Sequence, residues 1–168
     1  MKRNIVITVL ICLSLIIMGF GSILGNAKKG YTIIDDNQTK LSKDTFKLDI
    51  DKKDVVSMIK RKNLKLIRED KHGTEGNSIY CEDIRFLFNK KSKVIEIFVY
   101  NNKTFKTTKG LMIGDKVEKI KKLYGNNFRT HEEMDATIYQ YKFKNNYFSI
   151  IVTNDIITGW GIHKSSNY

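Results

Sequence analysis

Apolar and polar residues follow one another along this chain in three regimes, and each predicts a different kind of structure. The first is a block: Lys2-Arg3-Asn4 opens into residues 5–24, which carry no charge and are mostly apolar. That run is about long enough to cross a bilayer as a helix. The second regime is helical. After Asp51, Val55, Val56, Met58 and Ile59 gather in one stripe, and after Asp115, Val117, Ile120, Leu123 and Tyr124 recur at helical spacing. Asp115 is a suitable N-cap, Gly125 a suitable stop, and Gly114 lets the chain turn sharply into the cap. The third regime is the two-residue alternation of strands. It covers 78–88 and 94–100, joined at Lys90-Lys91-Ser92, and then 137–143, 147–152 and 156–163, with turns at Asn145-Asn146 and Asn154-Asp155. Asparagine tolerates the left-handed conformation that such hairpins need.

Helix followed by antiparallel strands, twice, predicts an α+β fold with helices packed on a sheet. An offset of 64 residues places Asp51 on Asp115, Val56 on Ile120, Ile59 on Leu123, Phe86 on Ile150 and Phe88 on Val152. With two deletions in the turn, Phe98 falls on Trp160. The pattern predicts one domain over 46–168 built as a tandem repeat, 46–105 and 106–168, with Val56 and Ile120 in equivalent buried positions. Residues 28–45 are polar and mostly aperiodic; they form a tether containing a short strand near 31–34.

The stretch Gly110-Leu-Met-Ile-Gly-Asp-Lys-Val-Glu-Lys-Ile-Lys-Lys-Leu-Tyr-Gly125 resembles the opening of the modules shared by β-lactamase inhibitory proteins and small outer-membrane assembly lipoproteins. The match consists of Gly114, the apolar Ile120 and Leu123, and the closing Gly125, with three strands after them. Lys116 stands where that superfamily usually has Ser or Thr, and residues 46–100 match only as a degenerate copy. The resemblance implies a helix on antiparallel strands, a non-enzymatic role and protein partners. It carries over no functional residue.

Charge and targeting narrow the setting. The basic head followed by the apolar run sends the remainder of the chain out of the cytoplasm. Its length favours an uncleaved N-terminal membrane anchor, whereas Gly25-Asn26-Ala27 offers the small residues of a signal-peptide cleavage site, with 1–27 removed. A lipoprotein signal is excluded because Ile11 precedes Cys12, which also comes too early. Cys12 and Cys81 cannot pair in one mature chain, so the domain rests on its core. With 30 basic and 18 acidic residues the net charge is +12, which suits an anionic envelope polymer or an acidic protein as partner. Nucleic acid is disfavoured by export and because Tyr139, Tyr141 and Phe143 occupy the core side of their strand. The oligomeric state is open.

Candidate chemistry is sparse. His72, His131 and His163 lie on separate segments without paired cysteines, so neither a metal nor a cofactor site is expected. Cys81 reads as a small packed residue. His131 with Glu132, Glu133 and Asp135, in a loop before a strand, suggests a small envelope hydrolase as an alternative function; a structural envelope protein without a specific ligand is another. The favoured reading is a non-enzymatic binding module. In the strand 94–100, Ile95, Ile97 and Val99 point inward and Phe98 and Tyr100 outward beside Glu96. Trp160, between Gly159 and Gly161, either joins Phe98 and Tyr100 in an exposed interface patch or enters the core with Ile156, Thr158 and Ile162.

Overall fold

A computed structural model describes residues 31–33, 45–72, 76–101, 103 and 105–165. The expected signal or anchor (1–27) and most of the tether (28–45) lie outside the described residues. Among the described residues no helix is long and apolar enough to cross a membrane.

The fold is α+β, with two helices and one eight-stranded antiparallel sheet among the described residues. A short strand β1 (Tyr31–Ile33) pairs in parallel with β6 (Phe105–Thr107) outside that sheet. The first half of the chain gives helix α1 (Lys52–Arg61) and a meander of β2 (Leu66–His72), β3 (Gly76–Cys81), β4 (Ile84–Phe88) and β5 (Val94–Tyr100). The second half gives helix α2 (Glu118–Tyr124) and a meander of β7 (Arg129–Glu133), β8 (Ala136–Phe143), β9 (Asn146–Thr153) and β10 (Ile156–Lys164). The two meanders meet through their last strands, in the order β2-β3-β4-β5-β10-β9-β8-β7.

The helices form where the apolar stripe demands them. Val55, Met58 and Ile59 of α1 and Ile120 of α2 are buried, in one core with Ile84, Phe86, Ile97, Val99, Phe148, Ile150, Trp160 and Ile162 of the sheet. Burying each such side chain stabilises the fold by roughly 1.5–3 kcal/mol. Both helices therefore cover the same face, and among the described residues the other face of the sheet carries no helix.

Matching hydrogen bonds tie each helix entry to its own last hairpin. In the first half, Asp49 N–H donates to Val94 C=O, Val94 N–H to Ile50 C=O and Lys52 N–H to Ser92 C=O. In the second, Gly114 N–H donates to Ile157 C=O, Ile157 N–H to Asp115 C=O and Val117 N–H to Asp155 C=O. Asp49 (φ 67°) and Gly114 (φ 89°) both take left-handed backbone at the start of this clamp, as do Ser92 (φ 57°) and Asp155 (φ 61°) in the hairpins. Aspartate is one of the few residues that tolerates a position where glycine is at ease.

Several expectations need correction. Asp115 does not cap α2, which starts at Glu118. Residues 115–117 are committed to the strand clamp, and the Asp115 carboxylate accepts from Met112 N–H and pairs with Lys119, both at 2.7 Å. Ile120 is fully buried as expected, but its counterpart by the clamp is Val55, also fully buried, while Val56 is half-buried. Residues 78–88 are two strands, because Glu82 turns the chain with φ 49°. Each half has four strands, since β2 and β7 add an outer strand the alternation did not reveal. In β5 the inward residues are Val94, Ile97 and Val99, with Ile95 half-buried, because the β4–β5 register shifts between Leu87 and Phe88.

Candidate functional site

Antiparallel register sets which side chains share the helix-free face. Directly opposed residues point the same way, so one row can be followed across all eight strands: Arg68, Tyr80, Arg85, Phe98, Gly161, Ser149, Gln140 and Arg129. A parallel row holds Leu87, Glu96, His163 and Tyr147, and another Tyr100, Gly159, Ile151, Ile138 and His131. Their middle members line a trough of about 530 Å³ running from Arg85 on β4 to His131 and Glu133 on β7, while Arg68, Tyr80, Leu87 and Tyr100 lie beside it.

The floor of the trough is Phe98. It faces Gly161 across the β5–β10 pair, and its ring lies over the β10 backbone: a Cβ on Gly161 would stand 2.7 Å from Phe98 Cδ2, and one on Gly159 would stand 3.3 Å from Cζ. Tyr100 stacks beside it, with centroids 6.1 Å apart and planes at 22°. The Arg85 guanidinium stands 5.8 Å from the Phe98 centroid, and Arg68 caps Tyr80 at 4.1 Å. Alternating cations and rings thus run along one half of the row, an arrangement that favours fixed geometry over mobile surface charge.

Beside this platform lies a charged pair whose carboxylate is buried while the Arg85 side chain keeps 37% of its surface in water. Glu96 is 5% exposed and forms an ion pair with Arg85. Burial works to lower the Arg85 pKa, but the hydrogen bond and charge of Glu96, with help from Tyr80, outweigh it and leave the pKa raised. Arg85 Nε is itself buried without a hydrogen-bond partner. His163, opposite Glu96 and 7% exposed, stacks on Tyr147 at 5.5 Å. Burial holds its pKa below the ordinary value; the Lys164 carbonyl and Glu96 oppose that shift without reversing it. Gln140 and Ser149 hydrogen-bond to each other on the floor (3.4 Å).

Of the three residues expected to form an exposed patch, Phe98 and Tyr100 do lie together on the outer side. Trp160 does not. It opposes Val99, so it points to the helix side, where it is fully buried against Phe148. The β10 residue opposite Phe98 is Gly161, one position beyond the Trp160 that the repeat paired with it, and a slip of one residue puts the indole on the wrong face. Residues 131–135 are not a loop: 131–133 belong to edge strand β7, followed by a turn at Met134-Asp135. His131 and Glu133 face the trough, whereas Glu132 points the other way and accepts from the Thr137 hydroxyl at 3.0 Å. His131, Glu132 and Asp135 therefore do not converge. Among the described residues no group of three or more His, Cys, Asp or Glu side chains is placed to hold a metal. Cys81 is fully buried on the core side, its thiol pushed up to about 12 by burial and the nearby Glu82.

Arg85 and Tyr147 escaped the sequence reading, which placed Glu96 only as a neighbour of Phe98 and Tyr100, and His163 only as an isolated histidine. A signal was present: Glu96 interrupts the apolar run Val94-Ile95-Glu96-Ile97-Phe98, and Arg85 interrupts Ile84-Arg85-Phe86-Leu87. A charge within a run of strand residues marks a face that is polar yet built.

No family model matches the sequence, and a search of curated proteins finds no relative. Among solved structures, a DUF4309 family protein (YjgB) from Bacillus subtilis matches with a TM-score of 0.37 and 13% identity over 60% of this chain and 64% of that one. A cysteine-rich secretory protein (SAV1118) from Staphylococcus aureus matches with a TM-score of 0.46 and 10% identity over 71% of this chain and 44% of that one. The chain spans less than two thirds of either structure, and likenesses this distant carry no argument about function.

Proposed function

We propose that this chain is a non-enzymatic binding module of the cell envelope, exported and held at or released from the membrane by residues 1–27. Its binding surface is the helix-free face of the sheet, and its partner is an envelope protein or polymer. The observation that carries this reading is the platform at Phe98. A large aromatic packed against a glycine-bared strand, beside an Arg85 held by the buried Glu96, is a preorganised contact surface rather than a solvated face. The divergence of His131, Glu132 and Asp135 weighs against the hydrolase alternative.

The domain is, in the same proposal, a tandem duplication. The matching clamps, in which Asp49 answers Gly114 and Val94 answers Ile157, support it, as do the equivalent helix positions Val55 and Ile120. The correspondence across the helix entry is shifted by one residue from the 64-residue offset, and the Phe98–Gly161 pair sits where the two copies join. Kinship with the β-lactamase inhibitory and outer-membrane assembly modules is consistent with Gly114 and Gly125 both at positive φ and Ile120 buried between them.

Retention of the full chain on isolated cell envelopes tests the function. Phe98→Ala with Tyr100→Ala should lower retention about tenfold or more while the melting temperature stays near that of the wild type. Equal retention of the variant and the wild type would remove the helix-free face as the binding surface.

A further inference from the structure

We infer that the trough takes a glycan, with Phe98 as a stacking platform for a sugar ring. The inference rests on the proposed binding role of this face and names its ligand class.

The trough crosses interior strands β5, β10, β9 and β8, whose backbone N–H and C=O groups are already paired on both sides. A peptide adding itself as a strand needs free backbone groups at a sheet edge, and this floor offers none. An amphipathic helix needs a continuous apolar groove, but Glu96, Gln140, Ser149 and His163 break the lining. Recognition here must come from side chains alone, acting on a ligand that carries its own polar groups around flat apolar faces. A pyranose ring, with axial C–H faces and equatorial hydroxyls, has that character.

Platform and rim match. Gly159 and Gly161 leave no side chain between the β10 backbone and the Phe98 ring, so the ring can pack close to that backbone. Tyr147, stacked on His163, is a second ring two strands and two residues away, on the order of 12 Å by sheet geometry. Beside them stand a hydroxyl and an amide, Ser149 on β9 and Gln140 opposite it on β8, each both donor and acceptor. Of the charged members, Arg85 and Glu96 compensate each other, and Glu133 stands on edge strand β7 at the far end of the trough. Around the Phe98 platform itself, rings with neutral donor–acceptors ask for hydroxyls rather than for a charged ligand. The volume of about 530 Å³ falls in the range of ligand-sized clefts, about 300–1,000 Å³, and the trough is open along its length, which suits a chain.

Phe98 and Gly161 are the opposed residues at the centre of the eight-stranded sheet. Two bulky residues there would fill the centre of the trough. The pair as it stands gives one ring and one space for it to lie in, and so a floor.

The test uses the full chain in detergent micelles with three probes: maltotetraose, cellotetraose and tetra-N-acetylchitotetraose. Saturation-transfer NMR should show transfer to at least one of them, with a Kd of about 1 mM or tighter. Phe98→Ala should weaken that binding about tenfold, and Phe98→Tyr, which keeps the ring, should hold it within about threefold. Tyr147→Ala, remote from the Gly161 contact, should weaken it as well and serves if Phe98→Ala does not fold. Absence of transfer to all three, or transfer indifferent to both ring deletions, overturns the assignment. If envelope retention still depends on Phe98 while no tetrasaccharide binds, the glycan is wrong and the binding face stands; if neither depends on Phe98, both fall.

Discussion

Gly161 is the position at which a single added carbon should report on the whole site. An alanine there would place its Cβ 2.7 Å from Phe98 Cδ2 and 2.9 Å from the Ile97 carbonyl oxygen. Carbons in contact settle at about 3.5–4.0 Å, so the ring must move by about 1 Å. The carbonyl belongs to the β5–β10 ladder and has less freedom to yield. Forcing a methyl into a packed site of this kind costs about 1–3 kcal/mol. For a domain of this size that corresponds to a melting temperature lower by roughly 3–12 °C. Gly159→Ala, whose nearest contacts are 3.3 and 3.4 Å, should cost less. The sharper measurement is a double-mutant cycle by urea unfolding. Phe98→Ala removes one of the two clashes, so the double variant should lose less than the sum of the single ones, with a coupling on the order of 1 kcal/mol. A Gly161→Ala chain that unfolds with the wild type, or costs that simply add, would mean that Phe98 does not lie on Gly161.

Three further outcomes follow from burial. Trp160 should emit in the blue and resist acrylamide quenching, and Trp160→Ala should cost about 3–5 kcal/mol in unfolding experiments; red-shifted, quenchable emission would contradict its place in the core. Cys81, its thiol pushed up to about 12, should react with iodoacetamide only after denaturation, and labelling of the native chain at neutral pH would refute that burial. His163 is held neutral beside Glu96, Arg85 and Tyr147, with its pKa below the unfolded value of 6.5. In that window the unfolded chain binds the extra proton, so stability rises with pH; the contribution is complete above about pH 6.5 and is lost as pH falls. The urea midpoint should therefore drop more between about pH 7.5 and about pH 5.5 in the wild type than in His163→Gln, and equal drops would remove His163 as the cause.

The class of fold was legible because period alone carries it: the stripe through Ile120 and the alternation through Phe148 and Ile150 leave few other arrangements. The hairpin turns were legible from Asn154-Asp155 and Ser92, whose left-handed backbones the residue types allow. What escaped was whatever depends on pairing across distance. Strand β7, Arg129–Glu133, is exposed throughout, so it shows no apolar alternation and reads as loop until β8 claims it. The face assignment of Trp160 failed for a related reason: a slip of one residue between repeats exchanges the two sides of a strand, and the composition of Gly159-Trp160-Gly161 suits either side. The site itself was half visible. Phe98 and Tyr100 follow from alternation within β5, but Arg85, Tyr147 and His163 come from three other strands and meet only through the register.

Side-chain footprinting tests the binding face most directly. Hydroxyl-radical oxidation of the full chain would be compared with and without isolated envelopes. Phe98, Tyr100 and Tyr147 should be protected by the envelope, while Met134, 97% exposed at the far turn of β7 and β8, and the α2 residues Leu123 and Tyr124 should oxidise as before. Protection confined to α2, with the three rings of the trough unchanged, would contradict a binding surface on the helix-free face.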